Sequence, residues 1–263
     1  MPNTLPDDLP VLRAGDPTAP TALVLHGGGG PRTVAPIVGH LAASRSVHAP
    51  THPGWDGTDR PESIATIADL ASAYLTRLRD HGERDVLVVG SSIGGWIALE
   101  MAVQAAADER SAGVLGSVVV IDTVGVVVEG EPIADFFALD ARGLAEVAWH
   151  DPERGYQDPA LATEEQRAVL RSNGQTMAVL AGRGMSDPTL LERLASVEAP
   201  TLVVSGASDR VVTVGHGRAV AAAVPGAAFA EVPAAGHLPH LEAPEATWAV
   251  LDPFVAQHRP GQH

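Results

Sequence analysis

The sequence contains no cysteine, which excludes disulfides, thiol catalysis and zinc–thiolate sites. It contains no lysine either, so all 17 basic residues are arginine. A Walker-type phosphate loop requires its lysine, and a pyridoxal Schiff base requires one too; both are excluded. Positive charge is scarce overall. The 17 arginines face 32 Asp and Glu, for a net charge of −15, and they form no cluster of the kind that tracks phosphates. Nucleic acid and anionic membrane are therefore not expected as partners. Long apolar runs are missing as well. The most apolar stretch, Val118–Val128, is interrupted by Asp122 and is too short to span a bilayer. The opening MPNTLPDDLP has no basic region followed by an apolar one, so no signal peptide is expected and a cytoplasmic location is the default.

What remains is a globular composition, 45% hydrophobic over 263 residues. A chain of this length suits a single α/β unit and can bury roughly 70–75% of its unfolded surface. Short β-branched runs alternate with longer helical patterns. Thr21–Gly27, Ser46–Pro50, Asp85–Gly90, Ser117–Asp122, Thr201–Gly206 and Ala228–Pro233 read as strands, most of them apolar on both faces, and LPVLRAG near the start as a further edge strand. Helical spacing predicts helices over Arg32–Ala43, Glu62–His81, Ser92–Ala107, Val214–Val224 and Pro244–His258. The alternation predicts the α/β class, with a mostly parallel central sheet flanked by helices.

One segment breaks the rhythm. From Gly130 to about Glu198 no strand is expected, only helical pieces at Ile133–Val147, Thr163–Ala181 and Pro188–Leu194. We read 1–128 and 199–263 as the core and 129–198 as an inserted helical cap, the alternative being an extra helical layer.

Gly90-Ser91-Ser92-Ile93-Gly94 fits G-x-S-x-G between an apolar strand and a helix, the setting of a nucleophile elbow. A sharp strand-to-helix turn needs tiny residues two before and two after the central serine. Gly90 and Gly94 meet that need around Ser92, whereas Ser91 has Val89 two before it. The competing reading makes Ser92 a helix N-cap. Earlier, LHGGGG (Leu25–Gly30) ends a strand in glycines that allow close backbone approach to a ligand. An oxyanion hole needs two amide donors, here assigned to Gly28 and Ile93. A phosphate loop is the rival, but the third glycine of G-x-G-x-x-G is absent. A serine hydroxyl needs a base, and the base an orienting acid. Asp209 follows one late strand and His237 follows the last.

These pieces, together with HPGWDGTDRP (His52–Pro61), APTLVVSGASDRVV and AGHLPHLEAPEATWAVLDPF, resemble the α/β-hydrolase fold family in its capped single-domain form, from about residue 20 to 257. The resemblance implies Ser92 as nucleophile, His237 as base, Asp209 as acid, and Gly28 and Ile93 as oxyanion donors. Ser91 departs from the large polar residue often found before the nucleophile.

Rivals exist for several roles. His240 could be the base, and otherwise sits at a pocket rim or in solvent. Asp122 occupies an alternative acid position, and otherwise caps backbone amides. His26 reads as a structural hydrogen-bonding residue. Trp55, Trp96, Phe136, Phe137 and Trp149 are candidate substrate-binding residues, with core packing as the alternative. The H-x-x-H pair at His237 and His240 lacks the company of carboxylates or thiols, so no metal is expected. The expected activity is cofactor-independent hydrolysis of a small or medium, fairly apolar ester, lactone or thioester. The alternatives are a lyase, C–C hydrolase or acyl transferase of the same fold using His237 as general base, or a non-catalytic receptor. The expected partner is a small-molecule substrate, and nothing in the sequence sets an oligomeric state.

Overall fold

The structure, a computed structural model, describes residues 4–258; residues 1–3 and 259–263, the outer ends of the expected core, lie outside that description. The strands are β1 (Val11–Ala14), β2 (Thr21–Leu25), β3 (Ser46–Pro50), β4 (Val86–Ser91), β5 (Leu115–Ile121), β6 (Gly125–Val126), β7 (Ser186–Asp187), β8 (Thr201–Gly206) and β9 (Ala228–Val232). The helices are α1 (Ala35–Leu41), α2 (Ile67–Asp80), α3 (Ile93–Ala107), α4 (Ala141–Ala148), α5 (Pro152–Gly155), α6 (Glu164–Leu180), α7 (Leu190–Arg193), α8 (Val214–Ala223), α9 (Pro239–Glu242) and α10 (Pro244–Gln257).

The main sheet has the order β1-β3-β2-β4-β5-β8-β9. Only the β1 pairing is antiparallel. Successive side chains of a strand point to opposite faces, and the core divides accordingly. Leu23, Leu25, Val86 and Val88 face α2, α3 and α8, while Ala22, Val24, Leu87 and Val89 face α1 and α10. Helix α3 is buried at every residue from Ile93 to Val103, which explains its apolar character all round.

Winding reverses at β2, which has β3 on one side and β4 on the other. At such a switch point the loops leaving the two strands part and open a crevice at their carboxyl ends. Leu25 pairs with Gly90 at that end, so the His26–Gly30 loop and Ser92 emerge side by side.

Several boundaries differ from expectation. Helix α2 starts at Ile67 rather than Glu62 because Thr66 caps it: the Thr66 hydroxyl accepts from the Asp69 amide (3.1 Å), and the Asp69 carboxylate accepts from the Thr66 amide (3.0 Å). Residues 133–140 are not helical. Asp140 caps α4 by accepting from the Gly143 amide at 2.8 Å, and before it the Ala134 amide donates to the Val211 carbonyl at 2.9 Å, tying this stretch to the core. The segment between β5 and β8 also contains an unexpected strand: β7 pairs in parallel with β6.

The far end of that segment is anchored by a buried charge. Glu100 of α3 is 1% exposed, and Arg193 of α7 grips it bidentately at 2.6 and 2.9 Å while also reaching Asp187 at 2.7 Å. Removing one partner of such a pair leaves a charge stranded out of water. Because the Arg193 side chain is about a third exposed, Arg193→Met should cost about 3 kcal/mol, the lower end for breaking a buried pair. Urea unfolding at pH 7 checks this, and Glu100→Gln in the same background should recover part of the loss. An unchanged midpoint in Arg193→Met would show that the pair contributes nothing.

Candidate active site

Ser92 stands alone between β4 and α3 with φ 56° and ψ −117°. A non-glycine residue there carries about 1–3 kcal/mol of strain that its surroundings must hold. Those surroundings are visible. The Ser92 amide donates to the Ile121 carbonyl (2.9 Å), and its carbonyl accepts from the amides of Gly95 (2.9 Å) and Trp96 (3.2 Å). A Cβ on Gly90 would overlap the Gly94 carbonyl, and a Cβ on Gly94 would overlap the Leu25 carbonyl oxygen. The two glycines are what let strand and helix close on this turn. Ile93 opens α3, where an amide has no intrahelical acceptor.

The Ser92 hydroxyl lies 2.9 Å from His237 Nε2, and His237 Nδ1 lies 2.7 Å from Asp209 Oδ2. All three residues are buried. The other Asp209 oxygen accepts from the amides of Val211 (2.7 Å) and Val212 (3.3 Å). An ionised carboxylate can only accept, so His237 donates from Nδ1 and leaves Nε2 to accept from the serine. The arrangement can take a proton from Ser92 and hold the resulting imidazolium.

The loops bearing acid and base are braced by the inserted segment. The last carbonyls of a helix lack intrahelical donors, and those of α4 are met from the core. The Glu146 carbonyl accepts from the Arg210 guanidinium. The carbonyls of Val147 and Ala148 accept from the backbone amides of Arg210 (2.9 Å) and His237 (2.7 Å). Glu242 adds a second brace, accepting from the amides of Gly236 (2.7 Å) and His150 (2.8 Å).

The rivals occupy other places. Asp122 Oδ1 accepts from the Gly206 amide at 2.9 Å, and its carboxyl also interacts with the Asp209 side chain. Burial, and then the negative charge of nearby Asp209, hold its carboxyl well above the ordinary range. His240 is neither at a rim nor in solvent. It is buried, its Nε2 donates to the Thr33 carbonyl at 2.9 Å, and burial pushes its pKa down to about 4.

The aromatic candidates are spread out. Trp55 is 0% exposed, and its indole N–H donates to the Gly28 carbonyl at 3.1 Å instead of facing an open pocket. Trp96 is 4% exposed and lies so close to Gly125 that a Cβ there would collide with its indole. Phe136 and Phe137 are half-buried against the main core, and Arg183 sits 5.8 Å over the Phe137 ring. The half-buried Trp149 ring packs on Gly155. The residue that does lie over the glycine loop is Met177 of α6: a Cβ on Gly28 would come within 2.8 Å of its sulfur. Sequence reasoning passed over Met177, although Asn173, Thr176, Met177 and Leu180 form the buried stripe of α6 at helical spacing. Asn173 exchanges hydrogen bonds with Asp56, accepting from its amide at 2.8 Å and donating to its carboxylate at 3.0 Å. Thr176 donates to the Gly54 carbonyl at 2.8 Å. Helix α6 is thereby fastened to the HPGWDG loop.

Among the described residues no group of three or more His, Asp or Glu is arranged to hold a metal ion, and no helix is long and apolar enough to cross a membrane.

Known proteins fit this architecture. The 3-oxoadipate enol-lactonase 1 of Acinetobacter baylyi is 30% identical over 233 aligned residues, covering 76% of this chain and 85% of that protein. The solved enol-lactonase of Burkholderia xenovorans LB400 superposes with a TM-score of 0.74 at 20% identity, over 94% of this chain and 96% of its own. A thermophilic esterase from Thermogutta terrifontis superposes with a TM-score of 0.74 at 18% identity, over 98% and 97%. The family model described as the alpha/beta hydrolase family matches residues 22–250. With that match spanning most of its length, the chain belongs to the alpha/beta hydrolase family.

Proposed function

We propose that this chain is a cofactor-independent serine hydrolase that cleaves a small or medium, fairly apolar carboxylic ester, lactone or thioester. The observation that carries the proposal is the continuous relay from the strained Ser92 hydroxyl through His237 to Asp209, with contacts of 2.9 and 2.7 Å. The Ser92 oxygen attacks the substrate carbonyl as His237 Nε2 takes its proton, and the Asp209 carboxylate stabilises the imidazolium. The amides of Gly28 and Ile93 receive the negative charge that forms on the carbonyl oxygen. His237 then returns the proton to the leaving alcohol or thiol. Water, deprotonated by the same imidazole, attacks the acyl-enzyme and releases the acid.

The inserted segment acts as the lid in this reading. Met177 lies over Gly28 and supplies apolar surface beside the reacting carbonyl, which favours an apolar acyl or leaving group. The name of the Acinetobacter relative places lactone opening among the reactions to assay first.

Two predictions follow from the assigned roles. A fluorophosphonate probe should add its mass to Ser92. Across a chain-length series of p-nitrophenyl acyl esters, Ser92→Ala should lower kcat by about 10⁶-fold, to background. Turnover that survives Ser92→Ala but is lost in His237→Ala would replace the acyl-enzyme with general-base chemistry.

The second prediction separates the two buried acids. Asp209→Asn should lower kcat by about 10⁴-fold, as expected when the histidine loses its orienting carboxylate. Asp122→Asn should leave kcat within about threefold of wild type, because an amide reproduces the donor and acceptor of a neutral carboxyl. The stability effect has the same origin. Asp122 has a raised folded pKa, so it withdraws stability as pH climbs past its unfolded pKa of about 3.9. Asp122→Asn should therefore melt no lower than wild type at pH 7, with any advantage shrinking toward pH 4. Equal activity losses in the two variants, measured at pH 7, would refute this division of labour.

A further inference from the structure

The His26–Gly30 loop has a design problem. Its amides must be aimed, yet consecutive glycines offer no side chains to pack and a broad choice of backbone rotations. A Cβ on Gly27 would stand 2.9 Å from Ser92 Cβ and 3.5 Å from its hydroxyl oxygen, so the loop passes directly over the serine. No acceptor among the described residues engages the Gly28 amide.

Gly28 lies between two peptide planes. In a trans peptide the N–H points opposite to the C=O of the same plane, so whatever holds a carbonyl also aims the amide across from it. The Gly27 carbonyl, opposite the Gly28 N–H, accepts from His26 Nδ1 at 2.7 Å and from the Gly30 amide at 3.2 Å. The Gly28 carbonyl, on the next plane, accepts from the Trp55 indole at 3.1 Å. Upstream, the His26 carbonyl accepts from His52 Nε2 at 3.0 Å. Three successive carbonyls are thus each held by a ring.

The rings hold one another. His26 Nε2 accepts from the His52 amide at 3.0 Å, and His52 Nδ1 accepts from the Tyr74 hydroxyl at 2.7 Å. The two imidazoles lie 3.8 Å apart, and the Trp55 ring meets both edge-on at 5.8 and 5.6 Å. Every imidazole nitrogen of this group has one partner of the correct kind for a neutral ring. Burial lowers His26 to about 4 and puts His52 well below its ordinary value, so neither ring changes its donor pattern near neutral pH.

We propose that Trp55 is a positioning residue of the oxyanion hole: its indole N–H locks the Gly28–Gly29 peptide, and with the His26 clamp on the preceding plane it keeps the Gly28 amide aimed over Ser92. This rests on the hydrolase reading above and reassigns Trp55 from pocket wall to scaffold. Loss of an oxyanion donor outright costs about 10²–10³ in kcat. Loosening one donor while leaving it present should cost less, roughly tenfold or more.

The test compares Trp55→Phe with wild type on p-nitrophenyl acetate. The expected result is kcat down at least roughly tenfold with KM within about twofold, since the clamp matters only when charge develops on the substrate oxygen. Affinity for a trifluoromethyl ketone, which forms a tetrahedral adduct on the serine, should fall in parallel. Should Trp55→Phe fail to fold, benzothienylalanine placed at position 55, which keeps the shape of indole but has no N–H, gives the same comparison. Wild-type kcat in either folded variant overturns the proposal, and so does a rise in KM at unchanged kcat, which would make Trp55 a pocket wall. Wild type without Ser92-dependent turnover overturns the hydrolase reading and this proposal together. A wild type that turns over through Ser92 beside an equally active variant overturns this proposal alone.

Discussion

Two missing side chains make the rest of the site possible. A Cβ at Gly90 or Gly94 has nowhere to go, because the backbone of α3 lies against β4 on one side and against the end of β2 on the other. That close approach holds Ser92 at a positive φ and carries its hydroxyl clear of the sheet. It also brings the β2 carbonyl at Leu25 next to the first turn of α3, so the glycine loop arrives beside the serine as a consequence of packing. The interior is rigid and close-packed, and it spends some of its stability on keeping one residue strained. The strain is useful only if the partners are equally fixed, and they are: Asp209 by two backbone amides, and His237 by a carboxylate on its ring and the Ala148 carbonyl on its backbone.

The buried polar groups follow one rule. Two carboxyls lie close together under the imidazole, and low dielectric does not favour two charges there. Three donors converge on Asp209, while burial and the neighbouring Asp209 push the Asp122 carboxyl upward. His26, His52 and His240 sit in the same interior as neutral hydrogen-bonding rings. Of His26, His52, His237 and His240, His237 is the one with a carboxylate partner, and a carboxylate is what makes an imidazolium tolerable in a buried setting.

Much of this was legible because it is local. Alternation marked the strands, helical spacing marked α3 and α6, and glycines two residues either side of Ser92 singled it out from Ser91. The positions of Asp209 after one late strand and of His237 after the last singled out the two residues that the structure links by hydrogen bonds to Ser92. What was not legible depends on contacts between distant segments. Trp55 and Gly28 are neighbours only because β2 and β3 lie side by side, and nothing within the HPGWDG loop reveals that its tryptophan serves a carbonyl rather than a substrate. Asn173 meets Asp56 although 117 residues of chain separate them. Residues 133–140 have helical spacing yet run as turns, because the Ala134 amide finds its acceptor at Val211, outside the segment. Met177 stood on a helix whose buried stripe was readable, but the stripe does not say what it covers.

The docking of α4 limits how such an enzyme can be diversified. Its terminal carbonyls complete the hydrogen bonding of Arg210 and His237, so this part of the insertion belongs structurally to the loops that carry Asp209 and His237. Exchanging the whole insertion for that of a relative would unseat the loops of Asp209 and His237 as well. Helix α6 is fastened elsewhere, to the glycine loop through Met177 and to the loop that carries Trp55 through Asn173 and Thr176. The two helices of the insertion thus divide their anchorage, α4 to the loops of Asp209 and His237 and α6 to that of Trp55.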